Sequence, residues 1–292
     1  MDNINIAFIT DKNYITCFKI ALLSLAEHTR YKLNVYCILT DPLSKNDRVF
    51  FNEFEKNHPY CSIKLISLGN ENINFQTKNH VTKAAFIKIK LPEILNNVNK
   101  LIYLDSDILI LEDINNLWEN FQDEVTLKAV WNPGYNYDNH VFGKGLDHKT
   151  FNSGVMLLNL YLMREKKSYK ELYEFLENKN HLTKLNDQAA FNAIFTDWQE
   201  LPLKWNVQYV FFLEQRKNLG ISRLELKRIK SSPSILHFTS NSKPWQFRNA
   251  HPYKREFLQR LTTIDSGFRY TDFSFQAFLK KLLEIVRLYF FA

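Results

Sequence analysis

Apolar strand segments alternate with helical segments along the first hundred residues, and this alternation restricts the fold more than any other feature of the sequence. The strand-like runs are short and rich in β-branched residues, and they lie at residues 4–10, 33–40, 63–68 and 100–104. Amphipathic helical patterns separate them. Strands and helices in this order are typical of βαβ units. The sequence therefore predicts an α/β fold with a mainly parallel central sheet.

The second half of the chain has a more mixed pattern. Further strand-like runs occur at residues 108–111, 125–131, 155–160 and 234–238. A helical pattern covers Tyr161–Glu177, and a loop rich in Gly, Asn and Asp covers Pro133–Lys149. A loop of that length inside a domain is usually functional. The composition changes near residue 245, so we expect a main domain at residues 1–245 and a helical appendage at residues 246–292.

Two carboxylates mark the end of the fourth strand, in the segment LIYLDSDILIL that begins at Leu101. Asp105 and Asp107 stand at i and i+2, where extended side chains share one face. Their neighbours are apolar, and an unpaired buried acid is costly. A divalent cation would compensate, and oxygen ligands favour Mg²⁺, Mn²⁺ or Ca²⁺ over zinc. The alternative interpretation is a solvated turn that caps the strand.

A second polar group follows the strand in ILHFTSNSKPW, which begins at Ile235. The imidazole of His237 can complete a metal site begun by carboxylates, and it favours Mn²⁺ over Mg²⁺. Lys243 comes six residues later, after a loop rich in Ser and Asn, and its charge suits a phosphate. The alternative is a hydrogen-bonded core histidine beside a surface lysine.

Two further segments place small polar groups next to apolar ones. In LNDQAAFNAIF we expect Asn186 to cap a helix whose first turn carries Asp187 and Gln188, facing the end of the sheet. An ordinary capping segment is the alternative. In FNSGVMLLNL, residues Asn152–Gly154 offer small polar groups and a close backbone approach where a buried strand begins.

Several classes of protein are excluded. The sequence contains no P-loop, dinucleotide-binding, α/β-hydrolase or HExxH zinc motif. No nucleic-acid-binding motif appears outside the C-terminal tail, so the net charge of +7 does not indicate nucleic acid as the partner. Cys17, Cys37 and Cys61 form no CxxC pair and fit a reducing cytosol as buried apolar residues. The N-terminus predicts no signal peptide and no apolar run predicts a transmembrane span, so the expected location is cytoplasmic.

Together and in this order, these segments resemble glycosyltransferase family 8, the retaining enzymes of the bacterial lipooligosaccharide galactosyltransferase and glycogenin type. Six segments carry the resemblance across residues 3–245; they are the first strand ending T-D-x-N-Y, then DSD, F-N-S-G-V, N-D-Q, L-P-L-K-W-N and H-F-x-x-x-x-K-P-W. The resemblance implies a GT-A fold, which is a Rossmann-like nucleotide-binding fold, for the main domain. It also implies transfer of a hexose, galactose or glucose, from a UDP-sugar with retention at the anomeric carbon.

The resemblance further implies roles for individual residues. Asp105, Asp107 and His237 match metal ligands, with Mn²⁺ as the expected ion and Mg²⁺ as the alternative. Asp187 and Gln188 match the pair beside the donor sugar and are the expected catalytic residues. The residues expected to contact the nucleotide or the donor are Thr10, Asp11, Asn13, Tyr14, Lys88, Ser106, Asn152, Ser153, Gly154, Ser240 and Lys243.

Two positions depart from the family pattern. Phe86-Ile87-Lys88 stands where the family usually has Y-x-R, and Lys88 keeps the charge but cannot bind phosphate through a bidentate fork. Ser240 replaces a glycine at a point where the backbone often approaches the diphosphate. Both changes bear on donor affinity and donor identity.

The C-terminal tail carries most of the excess charge. From Lys243 to Ala292 there are nine basic and four acidic residues, which supply five of the seven net positive charges. Within Phe273–Phe291 large apolar and charged side chains fall mostly on opposite helical faces. A basic amphipathic helix of this kind predicts an anchor on anionic lipid, at the inner face of the cytoplasmic membrane. The alternative is a helix docked on the main domain.

The leading hypothesis is therefore a Mn²⁺-dependent hexosyltransferase that extends a bacterial surface glycan, such as a lipopolysaccharide or lipooligosaccharide. Its glycan or glycolipid acceptor is expected at the loop after Trp131, through Asn132, Tyr135 and Tyr137, an assignment made from position and aromatic character. One alternative is a sugar-1-phosphate nucleotidyltransferase, which would normally carry an N-terminal glycine-rich loop that this sequence lacks. The other is a non-catalytic nucleotide or glycan binder at a membrane surface.

Overall fold

The computed structural model describes residues 3–68, 83–136, 138–214 and 216–291. The chain divides into two compact units, each assembled from three separate stretches of sequence. The first unit comprises Met1–Asn13, Arg30–Asp105 and Asn115–Pro202, and the second comprises Tyr14–Thr29, Ser106–Ile114 and Leu203–Ala292. Residues 246–292 lie within the second unit, and the predicted division of the chain at residue 245 stays a prediction.

The described residues form ten strands, which are β1 (Ile4–Thr10), β2 (Leu33–Leu39), β3 (Cys61–Ser67), β4 (Lys100–Leu104), β5 (Ile108–Ile110), β6 (Leu127–Trp131), β7 (Phe151–Asn159), β8 (Gln199–Leu201), β9 (Val207–Gln208) and β10 (Ile235–His237). The first unit contains a seven-stranded sheet in the order β3-β2-β1-β4-β7-β6-β8. Strand β7 runs antiparallel to both of its neighbours, and the other four pairs are parallel. This confirms the predicted α/β fold with a mainly parallel sheet.

Burial explains why some strands are easy to recognise in the sequence and others are not. Strands β1 and β2 lie inside the sheet, and all but one residue of each is buried. Strands covered on both faces need continuous apolar runs. The edge strand β3 instead alternates buried and more exposed residues along Cys61–Ser67. The polar side chains of Ser62 and Lys64 fit that edge position.

The described helices are α1 (Ile15–His28), α2 (Lys45–Asn57), α3 (Lys83–Ile89), α4 (Leu91–Ile94), α5 (Asn115–Trp118), α6 (Leu160–Glu165), α7 (Ser168–Lys179), α8 (Asn186–Ile194), α9 (Val210–Leu213), α10 (Arg216–Leu219), α11 (Arg223–Ser231), α12 (Lys254–Ile264) and α13 (Phe275–Phe291). Pro92 lies in the first turn of α4, where its missing N–H costs nothing.

Three sequence-based boundaries were wrong. The predicted helix at 161–177 is two helices, α6 and α7, because Lys167 between them adopts the left-handed conformation with φ of 56°. Strand β7 begins at Phe151, four residues before the predicted start. Asn186 is the first residue of α8 and not its cap, since Leu185 holds the cap position and its carbonyl accepts the amide of Ala189.

The second unit contains a three-stranded sheet in the order β5-β10-β9. Helix α1 packs against this sheet, where Ser24 Oγ accepts the backbone N–H of Ile110 at 3.0 Å. The sheet order places His237, the last residue of β10, opposite Ile108, the first residue of β5. Asp107 immediately precedes that residue, so the second Asp of the DSD segment and the predicted metal histidine lie at the same edge of this sheet.

The tail forms helices α12 and α13 within the second unit. Arg287 joins α13 to the end of α9 through the Leu213 carbonyl and the Glu214 carboxylate. Ala277 is buried, whereas most large apolar side chains of α13 are exposed to solvent. Within the described parts of the chain, no helix has both the length and the hydropathy required to cross a membrane.

Candidate active site

Asp105 extends β4 by one residue in the first unit. Its backbone N–H donates to the Gly154 carbonyl at 2.8 Å, which continues the pairing of β4 with β7. Its carboxylate accepts the hydroxyl of Tyr103 at 2.8 Å and the ammonium of Lys88 at 3.3 Å. Because Tyr103 and Asp105 are two apart along the strand, both side chains point to the same face of the sheet.

Lys88 is a buried cation between two acids. Its Nζ lies 2.6 Å from Asp187 Oδ2 and 3.3 Å from Asp105 Oδ1, and it sits 4.5 Å from the centre of the Tyr103 ring. Burial alone would lower the pKa of Lys88, but the charges of Asp105 and Asp187 outweigh it and raise the pKa above its usual value. Lys88 therefore holds the carboxylates of Asp105 and Asp187 next to each other.

Gln188 and the start of β7 form a hydrogen-bonded network. Gln188 Oε1 accepts from Asn152 Nδ2 at 3.0 Å and from the Ser153 backbone N–H at 3.3 Å, while Asn152 Oδ1 accepts the Gly154 N–H at 2.9 Å. A backbone N–H can only donate, so both amide side chains have one possible orientation. Gln188 Nε2 is buried and has no hydrogen-bond partner among the described residues.

Asp107 forms the corresponding cluster in the second unit. Lys243 Nζ donates to Asp107 Oδ2 at 2.6 Å and to the Phe238 carbonyl at 2.6 Å. His237 Nε2 lies 3.4 Å from Asp107 Oδ1. Burial would raise the pKa of Asp107, but hydrogen bonding and charge from His237 and Lys243 prevail and hold it well below its usual value. Asp107 is therefore a carboxylate at neutral pH, with strong electrostatic partners.

Asn206 orients the imidazole of His237. His237 Nδ1 lies 3.1 Å from the Asn206 side-chain oxygen and donates its N–H hydrogen bond to that oxygen. This arrangement leaves Nε2, the nitrogen that faces Asp107, as the one able to bind a metal ion. Asn206 ends the L-P-L-K-W-N segment, to which the sequence assigned no chemical role.

Asp105, Asp107 and His237 together offer a set of metal ligands. One ligand atom of each residue lies within 4.8 Å of those of the other two. Two carboxylates and one imidazole suit a divalent cation of the Mg²⁺ and Mn²⁺ type. The structure thus brings the three predicted ligands together, and their chemistry fits a divalent metal ion.

The segment predicted to hold the nucleotide follows β1. Thr10 ends that strand and is buried, and Asp11 Oδ1 accepts the backbone N–H of Asn13 at 2.8 Å, which closes a tight turn. In the second unit, the Tyr14 ring meets the Trp245 ring edge to face with centroids 5.9 Å apart.

The remaining predicted residues are placed as follows. Ser106 is buried between the two acids of the DSD segment, and Ser240 Oγ donates to the Ser242 carbonyl at 2.7 Å. In the predicted acceptor loop Asn132 and Tyr135 are buried, and the Tyr135 hydroxyl donates to Asp138. Tyr137 lies outside the described residues.

The sequence pattern indicated no role for three residues that hold other side chains of the site in place. They are Tyr103, Asn206 and Asn192. Asn192 holds α8 against β7. Its side chain forms hydrogen bonds with both backbone groups of Phe151 and with the carbonyl of Gln188. The available signal was an isolated polar residue in an apolar segment, which indicates a buried partner without identifying it.

Comparison with known proteins gives a consistent result. The sequence profile described as "Glycosyl transferase family 8" matches residues 5–249. General stress protein A of Bacillus subtilis (strain 168) is 30% identical over 189 residues, which cover 63% of this chain and 66% of that protein. The lipopolysaccharide 1,2-glucosyltransferase of Escherichia coli is 22% identical over 256 residues, or 84% of this chain and 74% of that enzyme.

Solved structures establish the fold. The galactosyltransferase LgtC, in complex with donor and acceptor sugar analogues, superposes with a TM-score of 0.75 over 95% of this chain and 100% of that one, at 18% identity. The bifunctional glycosyltransferase WbbM gives a TM-score of 0.70 at 16% identity over 88% of this chain. This chain spans about half of WbbM, 51% of its length. The predicted GT-A fold is confirmed.

Proposed function

The chain belongs to glycosyltransferase family 8, and we propose that it transfers a hexose, galactose or glucose, from a UDP-sugar to a bacterial surface glycan such as lipopolysaccharide or lipooligosaccharide, with Mn²⁺ bound at its metal centre. The observation that carries this proposal is the meeting of Asp105, Asp107 and His237 within 4.8 Å. A nucleoside diphosphate leaves with negative charge, and a metal centre beside a lysine suits that leaving group. The named relatives support a glycan acceptor.

The nucleotide and diphosphate are assigned to separate groups of residues. In the proposed complex Thr10, Asp11, Asn13 and Tyr14 hold the uridine. Lys243 and the backbone near Ser240 bind the diphosphate. A cation held by Asp105, Asp107 and His237, with Ser106 between the acids, would supply positive charge that stabilises the leaving group. The residues proposed to line the donor sugar are Lys88, Asn152, Ser153, Gly154, Asp187 and Gln188.

The side-chain contacts favour front-face attack. Asp187 is already held by Lys88 at 2.6 Å and by Ser153 Oγ at 3.1 Å, which lowers its reactivity as a nucleophile. In the proposed step, the bond from the anomeric carbon to the phosphate oxygen breaks as the acceptor oxygen bonds to the same face. The acceptor proton passes to the departing phosphate. Gln188, fixed by Asn152 and Ser153, positions the sugar through its remaining N–H group.

Release of UDP tests the proposal directly. With purified protein, Mn²⁺ and UDP-galactose or UDP-glucose, we expect UDP release that falls by about 100-fold or more when EDTA removes the metal. Adding back Mn²⁺ should restore the rate. A panel of UDP-sugars, with NMR of the product, would identify the donor and the anomeric configuration. No UDP release from any of these donors, with or without a glycan acceptor, would contradict the proposal.

We further propose that the tail holds the enzyme on anionic lipid at the inner face of the cytoplasmic membrane. Helix α13 leaves an apolar surface uncovered; its exposed members include Phe275, Phe278, Leu279, Leu282, Leu283, Val286, Tyr289 and Phe290. The same helix carries an exposed basic side chain, Lys280. Apolar area and basic charge on one helix are what interfacial binding requires. The acceptor would then be a glycolipid, and Asn132, Tyr135 and Tyr137 are the residues proposed to meet its glycan.

Vesicle sedimentation tests the role of α13. Replacing Leu283 and Phe290, which are 69% and 74% exposed, with serine should weaken binding to vesicles that contain phosphatidylglycerol by about tenfold or more. Serine at these exposed sites removes apolar area and leaves the buried contacts of the helix intact. The matched control replaces Leu146 and Leu224, which are 71% and 59% exposed elsewhere. Equal loss in both variants, or no loss in either, would contradict the proposed anchor.

A further inference from the structure

Lys243, the proposed diphosphate ligand, lies at the start of a closed turn. Its backbone N–H donates to Gln246 Oε1 at 3.0 Å, and its carbonyl accepts the Gln246 N–H at 2.9 Å. Arg248 Nε also donates to Gln246 Oε1, at 3.3 Å. The position of the Lys243 backbone therefore depends on the positions of Gln246 and of the residues that follow it.

The far side of this turn is held by Asp272, which lies just before α13. Asp272 Oδ1 accepts the backbone N–H of Phe247 at 2.8 Å. The Phe247 ring then packs edge to face on Phe273, with centroids 4.7 Å apart, and Lys281 Nζ of α13 lies 4.6 Å from its centre. One backbone hydrogen bond and ring contacts with Tyr270, Phe273 and Lys281 thus tie Phe247 to residues 270–281.

Lys254, in the first turn of α12, holds the carbonyl side of the same turn. Its ammonium donates to the carbonyls of Gln246 at 2.6 Å, Asn249 at 3.0 Å and Phe247 at 3.3 Å. Burial and then the charge of Lys281 lower the pKa of Lys254 to about 8. A half-buried ammonium with three carbonyl partners fixes the backbone from Gln246 to Asn249, because each carbonyl bond restrains a different peptide group.

The family match ends at residue 249, so Lys254 and Asp272 lie beyond it. We propose that Asp272 and Lys254 are positioning residues, which place the Lys243 ammonium for the diphosphate through the backbone of Gln246 and Phe247. This inference rests on the proposed function. Its physical basis is preorganisation. A charge that is already held in place stabilises the departing group more than a charge that must first be ordered. The tail is then part of the donor site as well as a proposed anchor.

A double-mutant cycle on UDP binding tests this role. Asp272→Ala removes the acceptor of the Phe247 N–H, and we expect it to weaken binding of UDP with Mn²⁺ by about fivefold in the otherwise unchanged protein. In the Lys243→Met background the same change should alter UDP affinity by less than about twofold, because its effect passes through Lys243. Asp272→Asn keeps a side-chain oxygen and should restore affinity. Asp265→Ala removes an exposed acid whose side chain bonds Gly267 and not this turn, and serves as the control.

The outcomes separate this inference from the proposed function. Absence of UDP binding by the unchanged protein would refute the proposed function. Normal UDP binding that Asp272→Ala does not weaken, or an equal loss in the Lys243→Met background, would refute the positioning role and leave the function standing. Should Asp272→Ala fail to fold, Phe273→Ala carries the same test, since that ring is 69% exposed and touches Phe247.

Discussion

Replacing Asp107 with asparagine is expected to lower the rate of sugar transfer by about a thousandfold. The carboxylate is buried, lies 2.6 Å from Lys243 and faces His237 at 3.4 Å. Asparagine preserves the shape of the side chain but carries no charge, so the metal centre loses one of its two anions. The change also leaves the Lys243 ammonium without its carboxylate partner, which is costly at a site so shielded from water.

Two measurements separate loss of chemistry from loss of metal binding. The rate of UDP release should fall as stated, and the affinity for Mn²⁺, followed by electron paramagnetic resonance of the free ion, should fall by about tenfold or more. Asp123→Asn is the matched control, because Asp123 pairs with Lys100 through a carboxylate that is 81% exposed. Turnover above a tenth of the unchanged rate, with normal Mn²⁺ affinity, would show that Asp107 does not hold the metal.

The strands of the parallel sheet were predictable because their burial is continuous. Strands β1, β2 and β4 appear in the sequence within about two residues of their bounds, as expected for segments covered on both faces. The start of β7 was not predictable. Asn152 and Ser153 are polar and resemble a loop, yet they lie in the strand because Gln188 of α8 satisfies them. That partner is 35 or more residues away, and spacing along the chain does not reveal it.

The two units could not be predicted from the sequence either. Helix α1 follows β1 directly, and the βαβ pattern places both in one layered fold. The structure assigns β1 to the first unit and α1 to the second. The reason is that α1 packs its apolar face on β5, where Ser24 Oγ accepts a hydrogen bond from the Ile110 N–H. Packing between residues far apart in the sequence therefore decides which unit α1 joins.

The sequence singled out Asp105, Asp107 and His237 because each stands out against apolar neighbours, and the structure places their side chains close together. Lys88 shows the limit of that reasoning. The sequence assigned it to the donor by its match to a family arginine, and its position between Asp105 and Asp187 depends on residues 17 and 99 positions away. A lysine fits between two carboxylates as a compact charge, whereas a planar guanidinium demands a fork-shaped partner. In this structure the Lys88 ammonium therefore acts on the two acids.

Replacing Gln188 with alanine is expected to lower turnover by about a hundredfold or more while UDP binding survives. The Gln188 carbonyl is already occupied by Asn152 and Ser153, and its Nε2 is buried without a partner in the described chain. A buried donor without a partner costs about 1–3 kcal/mol, a cost that a sugar oxygen could remove as the reaction proceeds.

Gln188→Glu separates the two halves of the amide, because it keeps an oxygen for Asn152 and Ser153 but replaces the N–H group with a second oxygen. If the free N–H matters, both variants lose turnover; if only the network matters, the glutamate variant stays close to normal. Gln122→Ala, at an exposed position, is the control, and near-normal turnover of Gln188→Ala would remove this residue from the mechanism.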